Sequence, residues 1–370
     1  MASWRGVALL NRDRKGAGRH KLDLQNAIRN IHLYAGLVAG LLFCVMSLSG
    51  SLLIFRSAID KSLRPHWTSN SSARPKSVLS EAVANVHRRW PDAKIVTITL
   101  PGSPGDPYEI EMQRSRRMRA FVDNRSGEVL GTHSVPWLAW IVDLHHDLKL
   151  GTTKAVGIVG ILLFLTSLTG IALSMIRPQK WRTAFRVHVR ASWKQLSFEF
   201  HRAIGLLSYV LVLVVSLSGI YLGFPDTIQS ALGVRPQEQL STTKARNGTS
   251  HPLEELRTAA QEAIPGGIVR QIEFDTQTTF LIWAPGDPRV NGSNRVVVDE
   301  ATARVLQVDR VSDWGPVKRF TEWITPVHFA EWSSRTVQVL WSLIGLIPPI
   351  LFVSGALIWL RSSSTKTRVS

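Results

Sequence analysis

The sequence predicts a membrane protein of the α+β class: a four-transmembrane-helix bundle from an internal duplication, with two small helix-plus-sheet domains on the outer side. Three observations predict it. Four apolar runs, at 31–55, 155–176, 203–224 and 337–360, contain no Asp, Glu, Lys or Arg, and each reaches the roughly 20 residues that cross a bilayer. A histidine-led motif occurs twice. His32-Leu-Tyr-Ala-Gly36-Leu37 runs on to Ser47-Leu-Ser-Gly50, and His201-Arg-Ala-Ile-Gly205-Leu206 runs on to Ser216-Leu-Ser-Gly219, at a common offset of 169 residues. The long segments 56–140 and 225–335 each carry one amphipathic helix pattern followed by alternating strand patterns.

Charge sets the expected orientation. The formal charge of +17 suggests nucleic acid at first sight, but its distribution excludes that partner. Lys and Arg crowd the first thirty residues, the connector between the second and third spans, and the tail after Leu360. With four spans, all three lie on one side, and short basic flanks stay cytoplasmic. The layout is then a cytoplasmic N-terminus (1–30), a cytoplasmic connector (177–202) and a cytoplasmic tail (361–370), with the lipid bilayer as the partner of the spans. Gly16 and Gly18 are expected to break any helix in the N-terminus, and the first span is read as an uncleaved anchor. The basic run from Arg114 to Arg119 is read as a headgroup contact or solvated edge. The single cysteine, Cys44, lies within the first span and is read as packing, so no disulfide joins the outer segments.

In the first outer segment, 77–90 reads as a helix with Val78, Ala82 and Val86 on one face, stopped by Pro91. Strands follow at 94–100, 108–113 and 119–123, and Asn124-Arg-Ser-Gly127 makes a turn. The second outer segment repeats this with a helix at 253–263 and strands at 268–274, 278–283 and 296–299. Val122-Asp123 and Val298-Asp299 stand 176 apart, so the repeat includes the outer segments. Each half closes on a histidine and a span: Leu144-His145-His146-Asp147-Leu148 before the second span, and Pro326-Val-His328 before the fourth. Pro348-Pro349 falls inside the fourth span and predicts a kink.

An intramembrane histidine is costly and usually functional. His32 and His201 stand where spans leave the cytoplasm; His145 (or His146) and His328 stand where spans enter from outside. Four-helix bundles present facing side chains as cofactor ligands, so two imidazoles at each end suggest two b-type haems. On one helical face with His32, Gly36 and Gly40 would let a flat group approach the backbone. On a continued helix His146 would share a face with Gly157 and Gly160, which keeps it beside His145 as a candidate. Zinc or copper would require further Cys, Asp or Glu ligands, and the spans supply almost none. A proton relay would require carboxylates within the spans. The remaining histidines read as solvent-facing (His20, His66, His133, His251), as a surface residue (His87), or as a headgroup contact (His188).

The two H-x-x-x-G-L spans, the L-H-x-x-L before the second span and the P-x-H before the fourth resemble the PepSY-associated transmembrane proteins, and the outer segments resemble PepSY-type domains. The resemblance covers nearly the whole chain. That family includes bacterial inner-membrane ferrisiderophore reductases with two haems in a four-helix core. The resemblance implies that His32, His145, His201 and His328 ligate haem iron, and that electrons pass to a ferric siderophore or other iron chelate in the periplasm, releasing iron(II). With ten residues after the last span, the electron donor is expected to be separate: a flavoprotein, a reduced flavin or a quinol. Two other readings remain open at this point. One is a membrane-anchored PepSY binding module that regulates a peptidase or other periplasmic protein. The other is a quinol-linked cytochrome with another acceptor.

Overall fold

The computed structural model describes residues 3–67, 79–114, 117–175, 181–234, 251–331 and 334–363. Expected features at Ser77, Val78, Ser115, Arg116 and residues 177–180 lie outside the described residues. In chain order the elements are α1 (Ser3–Leu53), α2 (Arg56–Leu63), α3 (Leu79–Arg89), β1 (Lys94–Thr99), β2 (Tyr108–Gln113), β3 (Arg117–Val122), β4 (Val129–His133), α4 (Pro136–Asp147), α5 (Thr153–Met175), α6 (Trp181–Ala184), α7 (Trp193–Gly223), α8 (Pro225–Ala231), α9 (Leu253–Ala263), β5 (Ile268–Phe274), β6 (Thr278–Trp283), β7 (Asn294–Val298), β8 (Val305–Asp309), α10 (Pro316–Phe329), α11 (Arg335–Ile344) and α12 (Ile347–Ser363). They form two units. The helical unit comprises Met1–Phe55, Trp140–Pro225 and Ser334–Ser370; the sheet unit comprises Arg56–Ala139 and Asp226–Ser333.

In the helical unit four stretches are long and apolar enough to cross a membrane: Asp23–Leu53, Thr153–Met175, Trp193–Gly223 and Arg335–Leu360. Their outward apolar side chains, such as Val38, Leu207 and Val210, are two-thirds exposed or more, as a lipid-facing surface requires. The helices form a ring in which α1 and α7 each pack on α5 and α12, so α1 and α7 occupy opposite corners. Contrary to expectation, α1 runs unbroken through Gly16 and Gly18 from Ser3. A helical glycine costs only about 1 kcal/mol relative to alanine, and strong helix formers surround these two. Likewise α7 begins at Trp193, ten residues before the apolar run, with the Ser192 hydroxyl accepting from the Gln195 N–H. His201 is therefore inside a helix rather than at its mouth.

The fourth span is interrupted, but just ahead of its prolines. Gly345 and Leu346 form a turn between α11 and α12, and Pro348 and Pro349 occupy the first turn of α12, where proline is tolerated. Continued helix would set their rings against the Ile344 and Gly345 carbonyls, hence the break at that point. The Ser51 hydroxyl donates to the Ser342 carbonyl across 2.7 Å, satisfying one acceptor that the interruption frees.

The sheet unit differs from the expected pair of small domains. All eight strands among the described residues join one antiparallel sheet, ordered β4-β3-β2-β1-β5-β6-β7-β8. The halves meet where β1 pairs β5, with Ile98 opposite Ile272. Each of these strands begins its half and would otherwise be a bare edge; pairing them satisfies both. α3 and α9 add their apolar faces (Leu79, Ala82, Val86; Leu256, Ala260) to a single core with Ile98, Ile110, Ile272, Phe280 and Ile282. Their N-termini meet: Glu254 accepts from the Ser80 N–H at 2.9 Å, and the Ser80 hydroxyl accepts from the Leu253 N–H at 2.9 Å. Details recur between halves. Bulges fall at Ile95/Thr97 and Val269/Gln271, and again at Phe121/Val122 and Val297/Val298. The Asp123 carboxylate accepts from the N–H groups of Arg125 and Ser126, and that of Asp299 from those of Ala301 and Thr302.

On the sheet face opposite this core, α2 lies over β3. The buried Asp60 of α2 accepts from Arg119, and Arg64 bonds Glu109 at 2.7 Å. His133, expected in solvent, is instead largely buried, with Nε2 3.8 Å from Asp60. Asp60→Asn is expected to cost about 1–3 kcal/mol of stability, because it leaves a half-buried guanidinium short of its acceptor. The measurement is thermal unfolding of the full chain in detergent, followed by the loss of sheet signal in circular dichroism; a midpoint equal to wild type would contradict it.

Candidate functional site

The repeated H-x-x-x-G motif brings two imidazoles together. His32 on α1 and His201 on α7 face one another across the bundle diagonal, ring centroids 6.2 Å apart and ring planes at 85°. The other diagonal holds their far edges. His32 Nδ1 lies 3.0 Å from the Thr166 carbonyl oxygen and 3.1 Å from Thr169 Oγ1, both on α5. His201 Nδ1 lies 2.9 Å from Ser354 Oγ on α12. All four spans thus contribute to one site, and the ring edges left over are those bearing Nε2.

Glycines make room for the rings. A Cβ on Gly170 would stand 3.1 Å from His32 Cε1, and one on Gly355 3.4 Å from His201 Cε1. Gly36 and Gly205, repeat-related residues one turn beyond the histidines, would meet nothing closer than 4.0 and 3.9 Å. They keep the space beside the paired rings open, as a flat ligand would require. Gly40 does not share this role: the Phe352 ring of α12 occupies its surface, so it serves helix packing.

At the other end of the bundle His145, in the last turn of α4, turns inward. Its Nδ1 lies 3.0 Å from Ser49 Oγ on α1, and a Cβ on the adjacent Gly50 would stand 2.8 Å from its Cε1. Burial pushes the His145 imidazole down to about 4, so it is neutral near neutral pH. His146 is exposed. Its expected alignment with Gly157 and Gly160 fails because the helix does not continue: α4 stops at Asp147, and Leu148, Lys149 and Gly151 adopt left-handed backbone before α5 begins. Gly157 and Gly160 pack on α7 instead, against Gly223, Phe224 and Ile220. His328 belongs to the sheet unit, in the last turn of α10, its ring centroid 5.7 Å from that of Phe329. The expected partnership of His145 and His328 therefore joins residues of two units. His188 is not a free headgroup contact: its N–H donates to the buried Glu199 carboxylate at 2.7 Å, and its ring bonds the same group.

The donor set suits a metal held by two imidazoles. Imidazole–metal bonds are about 2 Å long, and roughly another 1 Å reaches each ring centre, so two rings sharing one ion have centroids about 6 Å apart. The observed 6.2 Å agrees. Among the described residues no three His, Cys, Asp or Glu side chains gather as a metal cluster. Two imidazoles could hold an ion whose remaining positions another group supplies. Sequence reasoning missed the hydroxyls of Ser49, Thr169 and Ser354. Their signal was present as Ser-Gly and Thr-Gly pairs late in the spans, but nothing in the pattern attached them to the histidines.

The comparisons with known proteins agree with this architecture. No curated protein matches the chain. A family model described as the PepSY-associated TM region matches residues 29–362, which takes in the first span from residue 29, the other three spans, the whole sheet unit, and His32, His145, His146, His201 and His328. By that match the chain is a membrane protein belonging to the PepSY-associated TM family.

Proposed function

We propose that this chain is a b-type dihaem oxidoreductase of the bacterial inner membrane, which passes electrons across the bilayer to a ferric chelate in the periplasm. The observation that carries the reading is the His32–His201 pair, facing across the bundle diagonal at 6.2 Å with both Nδ1 edges engaged. In this reading His32 and His201 would hold one haem near the cytoplasmic face, and His145 would be a ligand of the second near the periplasmic face. The candidacy of His328 as a further ligand rests on its repeat-related place in the sequence alone. Haem bound by two imidazoles supplies a one-electron couple with no open iron position, which suits electron transfer rather than oxygen activation. In this reading the apolar helices keep water from the couple, and the exposed basic residues Arg186, Arg190 and Lys194 support a cytoplasmic side for their connector and both termini. The matched offsets, bulges and aspartate turns support an internal duplication that produced both halves. The acceptor class comes from the family resemblance: ferric iron in a siderophore gains one electron, and iron(II), held more weakly by the chelator, is released. The donor is a separate flavoprotein, reduced flavin or quinol.

Purified in detergent from cells supplied with haem, the protein is expected to give a reduced-minus-oxidised b-type spectrum with about two haems per chain. Stopped-flow mixing of the reduced protein with several ferric chelates is expected to reoxidise it. Colourless protein would remove the reading, and haem that no ferric chelate reoxidises would remove the acceptor.

A further inference from the structure

Each inward-turned histidine of the helical unit meets the same device: a hydroxyl residue followed by glycine on a neighbouring helix. Thr169-Gly170 meets His32, Ser354-Gly355 meets His201, and Ser49-Gly50 meets His145. A hydroxyl has one proton to give, and in all three it is already given. Thr169 Oγ1 donates to the Leu165 and Thr166 carbonyls at 3.1 and 2.8 Å. Ser354 Oγ donates to Ile350 and Leu351 at 2.8 and 3.1 Å. Ser49 Oγ donates to Val45 and Met46 at 2.7 and 3.0 Å. With that proton turned to its own helix, each oxygen accepts from the imidazole, which then carries its proton on Nδ1; His201 and His145 also bond the carbonyls of Leu351 and Met46, which can only accept. The second acceptor on His32, the Thr166 carbonyl, imposes the same requirement.

We infer that Thr169, Ser354 and Ser49 are positioning residues that lock His32, His201 and His145 in the Nδ1–H tautomer, presenting the bare Nε2 lone pair to a bound metal. The inference deepens the dihaem reading and rests on it for the identity of the metal; the tautomers themselves do not depend on it. The glycine is the second half of the device. By leaving out a Cβ at the ring edge it lets the imidazole approach the hydroxyl within hydrogen-bond distance. A neutral ring that donates from Nδ1 is a more basic ligand at Nε2. It therefore favours the ferric state and lowers the potential of the couple.

Ser354 is the probe of choice because its hydroxyl lies 2.9 Å from His201 Nδ1; like His32 with the Thr166 carbonyl, His201 also bonds a backbone carbonyl, that of Leu351, so the variants test the hydroxyl's share of the lock. Two readouts are taken on the full chain: the midpoint potential by spectroelectrochemistry, and ring-nitrogen NMR of labelled histidine in the reduced protein, with His201 assigned by its loss in His201→Gln. Ser354→Ala is expected to shift one of the two couples about tenfold toward the ferrous form, a rise of about 59 mV for one electron. Ser354→Thr, which installs the residue used by the other half, is expected to restore it, and Thr169→Val to give a similar rise in the same couple. Should Ser354→Ala fail to fold, the near-isosteric Ser354→Cys, a weak acceptor, is read in its place with the same expected rise. An unchanged potential and tautomer in haem-loaded Ser354→Ala would overturn the inference and leave the dihaem reading standing. Haem-free wild type would overturn the dihaem reading; the nitrogen spectrum then decides alone, with Nδ1–H on His201 supporting the lock and Nε2–H refuting it.

Discussion

His201→Ala is expected to yield a protein with about one haem per chain instead of two, and with its sheet unit unchanged. The ring of His201 is held by Ser354 on one edge and faces His32 on the other. Removing it leaves a single imidazole, with no second nitrogen ligand beside it among the hydroxyls of Thr169 and Ser354. One imidazole cannot replace two, and loss of a ligand outweighs the 10–100-fold losses in metal affinity typical of changes behind the ligands. His32→Ala should give the same half-loaded protein, and the double variant no further loss, since both residues serve one site. His146→Ala is the control: its side chain is exposed in the last turn of α4, so two haems should remain. Haem content by pyridine haemochrome, read beside the sheet signal in circular dichroism, decides. Full haem in His201→Ala would break the pairing. Loss of both haems with an intact fold would mean that the two sites are not independent.

The sequence exposes what is periodic and conceals what is not. The spans are visible because no charge interrupts them, and strands such as Tyr108–Gln113 and Ile268–Phe274 because alternate residues enter the core. The His32–His201 pairing is visible because one motif occurs twice at a fixed offset on the first and third spans, which run in the same direction and so bring both histidines to one end of the bundle. The β1–β5 junction is not visible: nothing in the strand pattern says whether Ile98 faces an edge or Ile272 across a ladder. The end of α4 is hidden for another reason. Leu148 and Lys149 adopt positive φ without being glycine, so no residue type marks the turn, and a helix extended through it misassigns His146. The hydroxyls behind the histidines are concealed because serine and threonine donating to their own helix are ordinary in apolar spans. Only the fold shows that the oxygen left over faces an imidazole.

Gly157 shows how this residue type can be misread. A shared face with His146 suggested a place beside a ligand, yet Gly157 and Gly223 are where α5 and α7 touch backbone to backbone. A Cβ on Gly223 would stand 2.7 Å from the Gly157 nitrogen and 3.2 Å from the Thr153 carbonyl oxygen, and Thr153 also donates to the Gly223 carbonyl across 3.2 Å. No flexible side chain is available to yield, so any larger residue must push the helix axes apart. Lipid tails are as apolar as the helix surfaces, so close packing of this kind, rather than hydrophobic burial, holds spans together. Gly223→Ala is expected to cost about 1–3 kcal/mol, the usual range for overpacking. Gly223→Leu should exceed that range and separate α5 from α7. Because α5 carries Thr169 and α7 carries His201, the separation would also loosen the paired site from a distance of several turns. The expected result is therefore a lower unfolding temperature in detergent together with weakened haem retention, while Gly105→Ala, at a position with open space around it, changes neither. Wild-type unfolding and haem content in Gly223→Leu would show that the two helices do not meet there.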